Sequence, residues 1–197
     1  MRYGFGLLAY QIGQVAAHSN DQISVIYPYV EEFAHAIGET CAIAAWMDQG
    51  VVMVRWYEAN KTISISLKPG RRVPLSTSST GRMFGAFLPR ATTENIVRTE
   101  LQARGINTDA EVEKLYEEYS EIREIGISQS IGKHIPGISS LSAPVFDYTG
   151  QPILVISVIG NESTFDASMT GANAHTLLNK CTELSRLLGS SSHVSAR

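Results

Sequence analysis

Residues 138–159 read ISSLSAPVFDYTGQPILVISVI, and the fold follows from this stretch. Ile138–Phe146 and Ile153–Ile159 are runs of strand-forming residues, and Asp147-Tyr148-Thr149-Gly150 between them is a turn sequence, so the stretch predicts an antiparallel hairpin. Side chains alternate between the two faces of a strand, which puts Ser140 and Ser142 on one face. Ser157 interrupts the apolar run of the second strand, and a buried hydroxyl there needs a hydrogen-bond partner. Neighbouring backbone supplies one; so does a polar strip shared with Ser139, Ser140 and Ser142. The uninterrupted apolar run, Ile153–Ile156, is far too short to cross a bilayer.

Upstream of the hairpin the period changes from two to between three and four. Asp109 to about Ile125 carries Val112, Leu115, Tyr119, Ile122 and Ile125 on one helical face, with acidic residues in its first turn and Gly126 as its stop. Thr93–Arg104, closed by Gly105, predicts another helix, and Ser79 to Leu88 a shorter one halted by Pro89. Thr40–Met47 and Val51–Tyr57, joined by Asp48-Gln49-Gly50, form a second hairpin, and Thr62–Leu67 alternates as a half-buried strand. Asn20 and Asp21 cap a helix running to Gly38, with Pro28 as a kink. Met1 to about His18 is amphipathic through Phe5, Leu8, Ile12, Val15 and Ala16, and needs a partner for its apolar face. Downstream, Gly171–Leu188 predicts a last helix and 189–197 a disordered polar tail. The expectation is an α+β fold, an antiparallel sheet flanked by helices, with residues 1–18 as a helix outside the domain and 19–188 as the domain itself.

With 197 residues, 44% of them hydrophobic and 18% charged, the chain is expected to be one soluble globular domain. Its formal net charge of -3 argues against a surface built to neutralise phosphates. The dense basic cluster of Lys68, Arg71 and Arg72 is either a solvated loop around Pro69 and Gly70 or a phosphate contact, the loop being the plainer reading. Cys41 and Cys181 show neither disulfide nor zinc spacing, which fits a reducing cytoplasm, and Met1–Ala17 lacks the pattern of a signal peptide. Gly126-Ile127-Ser128-Gln129-Ser130 lacks the final glycine of a nucleophile elbow. Gly4-x-Gly6-x-x-Ala9 follows no strand, and His18, His35, His134, His175 and His193 are scattered. No catalytic residue, metal or cofactor is expected, and an enzyme is the disfavoured class.

Several blocks in order resemble the effector-binding domain of IclR-type bacterial transcriptional regulators, which is GAF-like. They are Tyr3-Gly4-Phe5-Gly6-Leu7-Leu8 with Ile12-Gly13, then Gly38-Glu39-Thr40, then Pro74-Leu75-Ser76-Thr77-Ser78-Ser79-Thr80-Gly81-Arg82, and Gly137 with Ser142-Ala143-Pro144-Val145-Phe146-Asp147. The family's His-Ala after Pro-Leu is Ser76-Thr77 here, and an acidic residue that some members place before the last hairpin is Ser130. The resemblance makes residues 1–18 a linker helix and implies an effector cleft between sheet and short helix, involving Ser79, Thr80, Ser130, Ser140 and Ser157. Ser78, Ser79 and Thr80 stand where a helix starts, suited either to a polar oxygen of a ligand or to simple N-capping. Trp46, Met47, Met53 and Trp56 line the cleft or pack the core, and Lys133 and His134 meet an anionic ligand or belong to a solvated loop. The implied partners are a small organic metabolite, a carboxylate or phenolic acid, and further copies of the chain in a dimer or tetramer. Operator DNA would be met only through a winged helix-turn-helix domain outside these residues, and no membrane is expected. The alternative is a GAF-like nucleotide or redox sensor of a signalling protein, for which Cys41 and Cys181 are the candidate thiols.

Overall fold

The computed structural model describes residues 21–58, 69–106 and 108–190, together with Leu8 and Gln11. The helix expected at Met1–His18, the strand expected at Thr62–Leu67 and the tail beyond Ser190 lie outside the described residues. In chain order the elements are α1 (Asp21–Ser24), α2 (Tyr27–Ile37), β1 (Thr40–Met47), β2 (Gly50–Tyr57), β3 (Arg72–Val73), α3 (Ser79–Phe87), α4 (Arg90–Ala103), α5 (Asp109–Ile125), β4 (Ser128–Ile131), β5 (Ile138–Phe146), β6 (Pro152–Asn161) and α6 (Ala172–Leu187). The strands form one antiparallel sheet in the order β3-β2-β1-β6-β5-β4. This is the expected α+β architecture, with the two predicted hairpins meeting along β1 and β6.

Alternation along the strands divides the interior into two layers. Cys41, Ile43 and Ala45 of β1, Leu141, Ala143 and Val145 of β5, and Leu154, Ile156 and Val158 of β6 pack with α2 and α6. Ala42, Ala44, Met53, Val155 and Ile159 point the other way, into a second core with Met83 and Phe84 of α3, Val97 of α4 and Tyr119 of α5. Helices cover both faces, which is why β1 and β6 read as apolar runs, the second broken by Ser157. Ser140, Ser142 and Ser157 are out of phase with the α6 layer and therefore face α3.

Three local outcomes differ from the sequence expectation. Pro28 does not kink a long helix; it sits in the first turn of α2, where its missing N–H costs no hydrogen bond, and the chain breaks at Val25–Ile26. α4 begins at Arg90, directly after Pro89, three residues earlier than expected. β3 and β4 were not expected at all: the first has two residues, and the second, Ser-Gln-Ser-Ile, lacks an apolar signature. The stop of α5 is as expected, with Gly126 left-handed at φ 79°. Ser190, placed in the tail by sequence, is buried and donates its N–H to Ser185 O at 2.9 Å.

Candidate functional site

The start of α3 is pinned above the sheet by contacts that account for the Pro-Leu…Gly-Arg pattern. Ser78 caps the helix, accepting from Gly81 N at 2.9 Å while donating to Pro74 O at 2.6 Å. A Cβ on Gly81 would lie 2.0 Å from Pro74 O, so this crossing of helix over turn requires glycine. The Glu100 carboxylate of α4 accepts from Leu75 N at 2.9 Å, Ser76 N at 2.8 Å and Ser76 Oγ at 2.7 Å. Tyr119 of α5 donates to Leu75 O at 2.9 Å, and burial pushes its phenol well above the ordinary value.

Held in this way, the first turn of α3 meets the serines of the sheet. Ser79 Oγ lies 2.8 Å from Ser140 Oγ and 2.7 Å from Ser142 Oγ, while Thr80 Oγ1 lies 2.7 Å from Ser157 Oγ. Ser142 and Ser157 face each other across β5 and β6 with their hydroxyls 2.7 Å apart. The hydroxyls therefore run as one chain, Ser140–Ser79–Ser142–Ser157–Thr80. Ser130 sits opposite Ser140 on β4 but donates to Thr77 O at 3.2 Å and does not join the chain. Ser128, opposite Ser142, has a buried hydroxyl with no hydrogen-bond partner among the described residues.

Ser79, Thr80, Ser130 and Ser140 line a cavity of about 30 Å³, while Ser142 and Ser157 lie beneath it, fully buried. That volume holds about one or two waters. Apolar walls come from β2, β3, β6 and the loop after β4, and His134 of that loop joins them, its Nδ1 3.5 Å from Thr77 Oγ1. Burial, and after it the charge of Arg71, lowers the His134 pKa below the ordinary value, with Glu100 opposing, so the ring is neutral near pH 7.

Of the four large side chains considered for the cleft, only Met53 lines it. Trp46 packs against Phe84 with ring centroids 6.2 Å apart, Met47 is exposed, and Trp56 packs against the second core. Lys133 lies in a neighbouring pocket with Arg82, not in this cavity. Arg72 of the basic cluster spends its guanidinium on Gln49, at 3.3 Å to the carbonyl and 2.5 Å to Oε1. Sequence reasoning left Ser142 out of the site, although alternation had placed it with Ser140. A larger groove, about 480 Å³, runs between α4 and the β2–β3 edge; it is mainly apolar, and its one carboxylate, Glu100, is already taken by the Pro-Leu turn.

Hydroxyls both donate and accept, so the chain suits neutral or anionic oxygens of a ligand; its contacts contain no nucleophile–base pair. Among the described residues no group of three or more His, Cys, Asp or Glu side chains could hold a metal ion, and no helix is long and apolar enough to cross a membrane.

Comparison with known proteins identifies the family and agrees with the fold. Residues 14–186 match the family described as bacterial transcriptional regulator IclR, C-terminal. The chain is 26% identical over 188 residues to the HTH-type transcriptional regulator KipR of Bacillus subtilis, an alignment spanning 95% of the chain and 75% of that protein. It is 23% identical over 191 residues to the HTH-type transcriptional repressor AllR of Escherichia coli K12, spanning 95% of the chain and 70% of the repressor. The crystal structure of Pseudomonas aeruginosa HmgR superposes with a TM-score of 0.76 at 30% identity, covering 96% of the chain and 76% of HmgR.

Proposed function

Because this chain belongs to the IclR family, as the C-terminal regulatory domain of a bacterial transcriptional regulator, we propose that the effector, a small oxygen-rich metabolite of the carboxylate or phenolic acid class, binds at its hydroxyl-lined cavity, which must widen beyond the room for about one or two waters that it has here to admit the ligand. The observation that carries the reading is the hydroxyl chain from Ser140 to Thr80, buried at the start of a helix and free of fixed countercharge. In this reading the ligand's oxygens replace the Ser79–Ser140 contact at the cavity wall, Thr80 adds a third hydroxyl, Ser142 and Ser157 hold those side chains from below, and Ser130 stands at the margin. The positive end of the α3 dipole favours an anionic oxygen there.

Operator DNA is contacted through a winged helix-turn-helix domain outside these residues, in a dimeric or tetrameric regulator of the cytoplasm. The relatives are named transcriptional regulators, which does not favour a GAF-like nucleotide or redox sensor. Cys41 and Cys181 are also poor redox sensors: both are buried, and burial pushes the Cys41 thiol up to about 12 and Cys181 higher still.

A thermal-shift screen of small carboxylates and phenolic acids tests the reading, since a ligand that binds only the folded state must raise its apparent stability. The expected hit stabilises the wild type saturably and binds at least about fivefold more weakly to Ser140→Ala, the scale of one hydrogen bond. A saturable effector whose affinity is the same in Ser79→Ala and Ser140→Ala would place the site elsewhere.

A further inference from the structure

Outside the hydroxyl cavity, a pocket of about 370 Å³ opens between α3, α5, the turn joining α4 to α5, and the loop after β4. Arg82, Arg104, Lys114 and Lys133 converge on it, facing the carboxylates of Glu111 and Glu118. Arg82 is mostly buried and paired with Glu118, and it also donates to Gln129 O at 3.3 Å, yet its buried Nε finds no partner among the described residues. Arg104, Lys114 and Lys133 make no ion pair among the described residues. Three uncompensated cations therefore share the pocket with one free carboxylate, Glu111, in a chain whose net charge is -3. Leu101, Ile106 and Leu115 add apolar surface. The volume falls within the range of about 300–1,000 Å³ common for small-molecule sites.

We propose that this pocket binds a small multivalent anion, a phosphate ester or a polycarboxylate, at a site separate from the hydroxyl cavity. Like charges brought together on a concave wall repel one another until an anion bridges them, and three of them favour more than one negative charge. The ligand is small, because α5 continues past the pocket with Glu117, Glu121 and Glu124, which repel any extended polyanion such as nucleic acid. Arg82 follows Ser79 and Thr80 by less than one helical turn, and the carbonyl it holds is that of Gln129, next to Ser130. An anion on Arg82 thus meets a side chain that joins α3 to β4, two of the elements that line the hydroxyl cavity.

The test is isothermal titration of the chain with sodium pyrophosphate and with citrate, at fixed ionic strength, with acetate as the monovalent control. The expected result is saturable one-to-one binding of pyrophosphate, citrate or both. A preference for pyrophosphate marks a phosphate ester and a preference for citrate a polycarboxylate. Lys114 and Lys133 are exposed, so the Lys114→Glu, Lys133→Glu double variant should keep its melting temperature without ligand while losing at least tenfold in affinity. Ser79→Ala, Ser140→Ala should bind the anion as the wild type does. Unsaturable heats, equal affinity for acetate, or an unaffected lysine variant would overturn the proposal. Loss of binding in the serine variant would also overturn it, making the pocket a mere antechamber of the hydroxyl cavity.

Discussion

Ser157 is fully buried, so its 2.7 Å contacts with Thr80 Oγ1 and Ser142 Oγ stand in for the water it has lost. In Ser157→Val, Ser142 keeps its bond to Ser79, so the expected loss of stability is about 1 kcal/mol by chemical denaturation. Ser157 does not line the cavity; it fixes the Thr80 side chain that does. The same variant should therefore weaken an identified effector by about 1–2 kcal/mol in titration calorimetry, and an unchanged affinity would return Ser157 to the core. Gly81 makes the opposite kind of contribution, through the absence of a side chain. A methyl group there would drive into the Pro74 carbonyl, which is backbone and cannot swing aside, so Gly81→Ala should cost about 3 kcal/mol or more. A melting temperature within a few degrees of wild type would show that the Pro74 turn yields.

The loop 132–137 is the irregular wall of a cavity otherwise made by α3 and strands, and His134 is its titratable side chain there. Burial and Arg71 lower its pKa in the folded state, against a weaker pull from Glu100, so the unfolded chain binds the proton more readily. Stability is therefore full above the ordinary histidine value of 6.5 and declines as pH falls through the lowered one. Urea denaturation between about pH 7 and pH 5 should show this decline, and His134→Gln should flatten it; equal slopes in the two proteins would remove His134 as the cause. Which elements were legible follows from how each is stabilised. The β5–β6 hairpin carries its own turn and apolar strands, and α5 its own period and glycine stop, so both stand in the sequence. β4 owes its existence to pairing with β5, and nothing in Ser-Gln-Ser-Ile announces that pairing. The candidate site divides in the same way. Alternation placed Ser140 with Ser142, but only the family resemblance put Ser140 in one cleft with Ser79, more than 60 residues earlier, and nothing in the sequence joined Ser142 to Ser79. The size of the cavity, fixed by side chains from seven segments, was not readable at all.

At the scale of the whole molecule, the two regulatory partners call for opposite surface properties. DNA requires a basic excess, and these residues carry a net charge of -3, so the chain alone should show no sequence-specific operator binding in a mobility-shift assay. Sub-micromolar specific binding would contradict this. Self-association requires apolar surface without an internal partner. Helix α2 spends Val30, Phe33 and Ala34 on the core, yet Tyr29 beside them is 39% exposed, Val25 just before the helix 48%, and Leu8 68%. Apolar side chains scattered singly over a surface are ordinary, but these three belong to the N-terminal part of the chain, and each gains by burial against a second copy. Two-fold pairing is the simplest closed assembly, and it matches readers of paired operator half-sites. Sedimentation at tens of micromolar should therefore show a dimer or tetramer. Val25→Glu, Tyr29→Glu should shift it toward monomer while leaving the melting profile cooperative, because neither side chain belongs to the buried core. A wild-type chain that sediments strictly as a monomer would assign those side chains to solvent.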